Sequence, residues 1–307
     1  VFEQPERLAL TRLELAAPTD ADVIVDIQWS GISTGTERLL WTGKMPMFPG
    51  MGYPLVPGYE SVGRIREAGS QSGSKAGDLV FVPGARCYGH VHGLFGGAAS
   101  TVVVPGAKAL VVDEALGEQA TLLALAATGH HAIVAPGSAL PDLIVGHGVL
   151  GRLLARLTVA LGGAAPTVWE TNPERAEGAI GYTVIDPASD PRRDYRSICD
   201  VSGDSRLLDT LISKLAPGGE IVLAGFYSEP LSFAFPPAFM REARIRVAAQ
   251  WHERDLLATK HLAESGALNL DGLITHRRPV TDADNAYRTA FGDPACLKMI
   301  LDWSTPQ

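Results

Sequence analysis

Residues 142–157, DLIVGHGVLGRLLARL, decide the fold. A short apolar run enters Gly146, Gly148 and Gly151 in the G-x-G-x-x-G spacing, and an apolar helix pattern follows at once. The spacing alone is a weak signal; the strand before it and the helix after it give it meaning. Gly146 permits a tight turn, Gly148 lets backbone approach a diphosphate, and Gly151 lets the helix lie close to the strand. With His147, Val149 and Leu150 between the glycines, the helix N-terminus offers free N–H groups and a favourable dipole to phosphate. His147 either touches the diphosphate or is a solvated turn residue, and the solvated reading is favoured. The next strand ends in TVWET, which places Glu170 about 20 residues on, where a carboxylate can accept from both ribose hydroxyls. That charge repels a 2′-phosphate and favours NAD over NADP. Arg175 could contact either ribose or phosphate.

On both sides of this turn the pattern alternates. Strand-like DLIVG, APTVWET, YTVID, DYRSICDVSG, GGEIVLAGF and RIRVAAQW are separated by helical GVLGRLLARLTVALGG, NPERAEGAIG and SRLLDTLISKLAP. Such alternation predicts a doubly wound parallel sheet covered on both faces, an α/β Rossmann unit. Upstream the reading changes. ADVIVDIQWSGIS, SVGRIREAG, GDLVFVPG and ASTVVVPG are short β-branched runs ended by Gly, Pro or Asp, the pattern of a barrel-like β domain. EQATLLALAATGHHAIVA reads as the helix that joins the two, and ERDLLATKHLAESGAL as another helix after the last Rossmann strand. The expected division is 125–252 for the dinucleotide-binding domain, with 1–124 and 253–307 forming the β domain.

The chain has 307 residues, enough for two cores of ordinary size. Its net charge of −8 argues against an electrostatic hold on nucleic acid or an anionic membrane. No apolar run is long enough to span a bilayer, and the first residues lack the order of a signal peptide. Three widely separated cysteines, Cys87, Cys199 and Cys296, do not form a disulfide framework, so a cytoplasmic home is expected.

The order of a β domain, a Rossmann domain and a return segment resembles the medium-chain dehydrogenase/reductase superfamily. SGISTGTE (30–37), VPGYESVGRI (56–65) and LALAATGHHA (123–132) occupy the places of its three zinc-ligand motifs, and GLITHRRPVTDADNAY (272–287) resembles its return segment. The resemblance implies a GroES-like β-barrel catalytic domain. The zinc ligands are absent. Ser33, Tyr59 and Ala124 stand at their positions, and zinc needs thiolate, imidazole or carboxylate donors. No metal ligand is therefore assigned. Within the superfamily, residues 30–64 and 144–153 are most similar to members acting on a tetrapyrrole. That implies NAD-dependent oxidation of the C3 1-hydroxyethyl group of a bacteriochlorophyllide to acetyl, and a homodimer, with the edge strand RIRVAAQW as its interface.

Oxidising a secondary alcohol without a Lewis acid requires a side chain to take or relay the hydroxyl proton. Tyr59 is the first candidate, as base, as oxygen-orienting group, or as an aromatic filling the metal's space. Ser33 and Thr36 offer hydroxyls for a relay, with helix capping favoured for Thr36. Glu60, expected on the opposite face of a strand from Tyr59, reads as a structural carboxylate paired to a basic residue. Thr128 resembles a family threonine beside nicotinamide, and His130 lies two residues on. GKMPMFPGMGYP (43–54) gathers Met45, Met47 and Phe48 beside Trp41, a set that suits a broad apolar ligand or simply packs a loop. In CYGHVH (87–92) a strand spacing would put His90 and His92 on one face and Cys87 on the other. With no fourth ligand evident, substrate contact is favoured there over a metal. Two other readings compete: a zinc-free quinone or enoyl reductase, and a dinucleotide-binding scaffold whose active site has decayed.

Overall fold

The computed structural model describes residues 1–227 and 229–304. The chain forms two compact units, Val1–Ala124 with Leu273–Gln307, and Leu125–Gly272. The return to the first unit therefore begins at Leu273, not at 253, and the helix after the last Rossmann strand belongs to the second unit.

In chain order the first unit contributes β1 (Phe2–Gln4), β2 (Arg7–Leu8), β3 (Asp22–Ile32), α1 (Thr36–Trp41), β4 (Leu55–Val56), β5 (Ser61–Ala68), β6 (Leu79–Val82), β7 (His92–Gly93), β8 (Thr101–Pro105) and β9 (Leu110–Val111). Strand β3 organises it. Val23, Val25 and Ile27 alternate inward, as a strand with one buried face must. β5 pairs antiparallel along β3 with Val25 opposite Ile65, and β8 pairs antiparallel with Val25 opposite Val102. Valines and isoleucines from these strands, with Val80 and Val82 of β6, make one core.

The second unit follows with α2 (Leu123–Ile133), β10 (Leu143–Val145), α3 (Val149–Ala160), β11 (Thr167–Trp169), α4 (Pro173–Ala176), β12 (Thr183–Ile185), β13 (Tyr195–Asp200), α5 (Leu208–Lys214), β14 (Leu215–Leu223), α6 (Phe235–Met240), β15 (Arg244–Val247) and α7 (Glu253–Glu264). Its six strands run in the order β12-β11-β10-β13-β14-β15, and every neighbouring pair is parallel. This is the Rossmann order, with the reversal of direction at β10, where ligands bind beyond the strand's carboxyl end. The glycine turn leaves β10 at that end.

Two helices are shorter than the sequence suggests. Residues 114–122 form a 3₁₀ segment before α2, with the Thr121 hydroxyl donating to the Glu118 carbonyl at 2.7 Å. α4 stops after one turn because side chains capture its carbonyls. Arg175 O accepts from Arg152 Nη2 at 3.0 Å and lies 2.6 Å from His147 Nδ1, and Glu177 O accepts from Arg152 Nη2 at 2.7 Å. Gly178, at φ +82°, then turns the chain away.

The chain re-enters the first unit through β16 (His276–Pro279), α8 (Ala283–Gly292) and β17 (Met299–Asp302). β17 lies antiparallel to β3, with Met299 opposite Ile32. That register brings Lys298 beneath the end of β3, where Ser33 begins. α8 buries Tyr287 against Phe2 and Trp41 in a second core.

Candidate active site

In the second unit the glycine motif has the geometry its spacing requires. Gly146 has φ +102°, a conformation other residues avoid. A Cβ on Gly151 would lie 2.9 Å from the Gly146 carbonyl carbon, so only glycine lets α3 approach β10 this closely. Gly148 is different: an added Cβ would meet nothing within 4 Å, which leaves open space over the backbone. Gly148 is the N-cap of α3 and no side chain caps the helix. The N–H groups of Val149, Leu150 and Gly151 thus lack intrahelical partners, which suits them to an anion. The residues present fit a dinucleotide diphosphate.

Around this turn two expectations need correction. His147 is fully buried and not solvated. Its Nδ1 lies 2.6 Å from the Arg175 carbonyl and its Nε2 2.8 Å from the Tyr182 hydroxyl. Burial pushes the imidazole down to about 4. The side chain anchors the loop from behind, and Tyr182 carried no sequence signal of that role. Glu170 also differs from expectation. Its Oε2 accepts the His147 N–H at 3.0 Å, and its Oε1 accepts those of Thr171 and Asn172, each at 2.8 Å. Three of roughly four lone-pair positions are taken, so the carboxylate can accept from one ribose hydroxyl, not two. Arg175 sits half-buried on α4.

Thr128 and His130 lie on α2 in the same unit. His130 Nδ1 is 2.8 Å from one Asp255 oxygen, and His131 Nδ1 is 2.9 Å from the other. Asp255, on α7, is buried and also accepts the His252 N–H at 2.9 Å. His130 is thus one of two imidazoles held by a shared carboxylate 125 residues away. That separation hid the arrangement from sequence reading.

The first unit places the candidate proton-handling residues together. Ser33 Oγ and the Tyr59 hydroxyl are 2.6 Å apart, and Thr36, close by, also favours the ionised phenol. Phe95 fixes the Tyr59 ring edge-on, at 5.2 Å between centroids. Thr36 does not cap α1: Gly35 is the N-cap, without a side-chain bond, and Glu37 reaches back to the Ser33 N–H at 3.3 Å. Tyr59 lies in a bend, not on a strand. Burial, and the negative charge of Glu60, push its phenol well above the usual range. The Tyr59 hydroxyl shares a short hydrogen bond with Ser33, and so high a phenol does not suit the expected role of a base near neutral pH. Glu60 is fully buried against Lys298 Nζ at 2.6 Å. Ala124 is fully buried.

The expected substrate residues separate. Trp41 is a core residue, 5% exposed, stacked on Tyr287 and edge-on to Phe2, and offers almost no open surface. Met45 packs against the same core. Met47 is 81% exposed and Phe48 38%. His90 is exposed in a turn and His92 is half-buried on β7, where its N–H donates to the Pro54 carbonyl at 3.1 Å. Cys87 through Val91 are not a strand, so the one-face argument for His90 and His92 fails. Among the described residues no group of three or more His, Cys, Asp or Glu side chains is placed to hold a metal ion.

A β unit and a Rossmann unit with an open diphosphate turn define a medium-chain dehydrogenase/reductase, an oxidoreductase. The family model for the alcohol dehydrogenase GroES-like domain matches residues 19–114. The 2-desacetyl-2-hydroxyethyl bacteriochlorophyllide A dehydrogenase of Rhodobacter capsulatus is 58% identical over 304 residues, covering 99% of this chain and 97% of that protein. The protein of the same name from Cereibacter sphaeroides is 58% identical over 308 residues, with the same coverage. The structure of 2R,3R-butanediol dehydrogenase from Bacillus subtilis superposes with a TM-score of 0.85 at 19% identity, over 99% of this chain and 98% of that one, a likeness of fold. The chain belongs to the family of the 2-desacetyl-2-hydroxyethyl bacteriochlorophyllide A dehydrogenases, within the medium-chain dehydrogenases. No helix among the described residues is long and apolar enough to cross a membrane.

Proposed function

We propose that this protein oxidises the 1-hydroxyethyl group of a bacteriochlorophyllide to an acetyl group, with NAD as hydride acceptor and no catalytic metal. The observation that carries the reading is the Ser33–Tyr59 hydroxyl pair, 2.6 Å apart, at positions where the family resemblance implies a thiolate and an imidazole in metal-dependent members. The names of the relatives at 58% identity support the substrate.

Bound NAD supplies a carbon that accepts hydride from the carbinol. The backbone N–H groups of Val149, Leu150 and Gly151 hold its diphosphate, with Gly148 giving room for the approach. Glu170 accepts from one ribose hydroxyl and repels a 2′-phosphate, which supports NAD over NADP. In the first unit Ser33 and Tyr59 bind and orient the reacting oxygen. The alcohol proton passes through their shared hydrogen bond and on to water, since the phenol does not retain charge at neutral pH. His130, with its tautomer set by Asp255, is a second proton-handling candidate. The exposed Met47 and Phe48, together with the exposed His90 and half-buried His92, are the side chains offered to the macrocycle.

The expected assembly is a homodimer. β15 is an edge strand with Val247 73% exposed, and Phe235, Phe239 and Met240 of α6 are exposed just before it. Three buried cysteines, none of them in a disulfide, suit a reducing, cytoplasmic compartment. The test is incubation with NAD and a 3-(1-hydroxyethyl) bacteriochlorophyllide, following pigment absorbance and NADH together. Equimolar acetyl pigment and NADH support the reading. A protein that binds NADH yet never converts the pigment would overturn it.

A further inference from the structure

Beneath the hydroxyl cluster lie two carboxyl groups and one ammonium, sealed from water. Glu37, Glu60 and Lys298 are each 0% exposed. Lys298 Nζ donates to Glu60 Oε2 at 2.6 Å and to the Ile32 carbonyl at 3.1 Å. Glu60 Oε1 is buried and without a hydrogen-bond partner. Glu37 accepts the Ser33 N–H at 3.3 Å through Oε1 and the Tyr287 hydroxyl at 2.9 Å through Oε2, both neutral donors. One cation neutralises one carboxylate, and a second bare carboxylate in the same dry space is strongly disfavoured. The group therefore retains a proton. No cation touches Glu37, so the proton belongs there; burial, together with the charge of Glu60, raises this acid to about 8.

We propose that Glu37 is a positioning residue for the alcohol–ketone chemistry, whose neutral carboxyl holds the Ser33 turn and keeps the site beneath the Tyr59 hydroxyl free of extra negative charge. The inference rests on the assignment of the substrate oxygen to Ser33 and Tyr59. The groups facing Glu37 are Ser33 and Tyr59 from the flanking turns, Glu60 after the Tyr59 bend, Tyr287 from α8 and Lys298 before β17. Nothing among them compensates a second carboxylate. When Glu37 loses its proton, a full charge appears beside the place where the substrate oxygen gains alkoxide character, and that opposes the reaction. Proton release from the alcohol alone makes oxidation rise with pH, whereas this arrangement makes it fall again.

The experiment compares kcat/KM for pigment oxidation from pH 6 to pH 10 in wild type and Glu37→Gln, with the carboxylic C=O infrared band of each protein recorded over the same range. Wild type is expected to show a descending limb with its midpoint near 8 and a protonated-carboxyl band that disappears across the same interval. In Glu37→Gln both the limb and that band are absent, so the ratio of wild-type to variant kcat/KM falls about tenfold per pH unit above the midpoint. In Tyr287→Phe, which removes a donor that favours the ionised form, the limb moves to higher pH. An identical descending limb in wild type and Glu37→Gln, or the absence of a titrating band in folded wild type, overturns the proposal. If no pigment is oxidised at any pH, the assigned function fails, and the infrared comparison still decides whether Glu37 carries the proton.

Discussion

Replacing Gly148 and Gly151 one at a time by Ala separates folding from cofactor binding at the glycine turn. At Gly148 the backbone has φ −72° and ψ −174°, an ordinary extended conformation, and an added Cβ meets nothing within 4 Å. The fold can accept Ala there at a cost of about 0.5–1 kcal/mol, the difference between Gly and Ala as an N-cap. The methyl group would stand in the space through which a diphosphate must approach, and about 1.4–2.7 kcal/mol of lost contact corresponds to a 10- to 100-fold weaker Kd. At Gly151 the Cβ would sit 2.9 Å from the Gly146 carbonyl carbon, with the carbonyl oxygen nearer still, and 3.5 Å from Val201 Cγ2. That is backbone against backbone, so α3 must shift on β10. Overpacking of this kind costs about 1–3 kcal/mol, and each kcal/mol lowers the melting temperature of a unit this size by about 2–4 °C. NADH titration by fluorescence and a thermal melt are run on both variants. Gly148→Ala should lose affinity and keep nearly all of its Tm, while Gly151→Ala should lose both. Wild-type NADH affinity in Gly148→Ala would show that the turn does not cradle the diphosphate.

Three further outcomes are expected. Lys298→Met leaves Glu60 buried and uncompensated, at a cost of about 3–5 kcal/mol by urea denaturation, and adding Glu60→Gln restores part of the loss; an unchanged midpoint in the single variant contradicts the buried pair. For His147 the folded value of about 4 lies below the ordinary 6.5, so the unfolded chain takes up the proton first. The second unit therefore loses stability as pH falls from about 6.5 to about 4, and His147→Gln should flatten that dependence in melts recorded across the interval. Tyr59→Phe, which removes the 2.6 Å contact to Ser33, should lower kcat for pigment oxidation about 10²-fold without moving any limb of the pH profile below 8; an unchanged kcat removes tyrosine from the chemistry.

The parallel sheet was legible because most Rossmann strands are short apolar runs that alternate with helical stretches; the order of its strands was not. The pairing of Ser33 with Tyr59 was visible only through resemblance, since 26 residues separate them and no periodicity links them. His147 looked solvated because a turn between glycines normally is; its burial depends on Tyr182 and on the carbonyl of Arg175, tertiary partners that leave no local trace. Trp41 was grouped with the Met-rich 43–54 stretch as a set suited to a broad apolar ligand, yet α8 returns from the far end of the chain to cover it. Glu37 stood in the STGTE stretch, which read as a helix start. Its burial depends on Tyr287 and its electrostatic setting on Lys298, both more than 240 residues on. Charges brought together by β3–β17 pairing cannot be counted before that pairing is known.

The proposed alcohol oxidation proceeds through hydroxyl groups at positions where the family resemblance implies zinc ligands. The direct measurement is turnover of a hydroxyethyl bacteriochlorophyllide with NAD after exhaustive dialysis against EDTA, with zinc quantified per chain in the same sample. Undiminished formation of acetyl pigment and NADH at far less than one zinc per chain is the predicted result. Activity that disappears with the chelator and returns on adding zinc would contradict it.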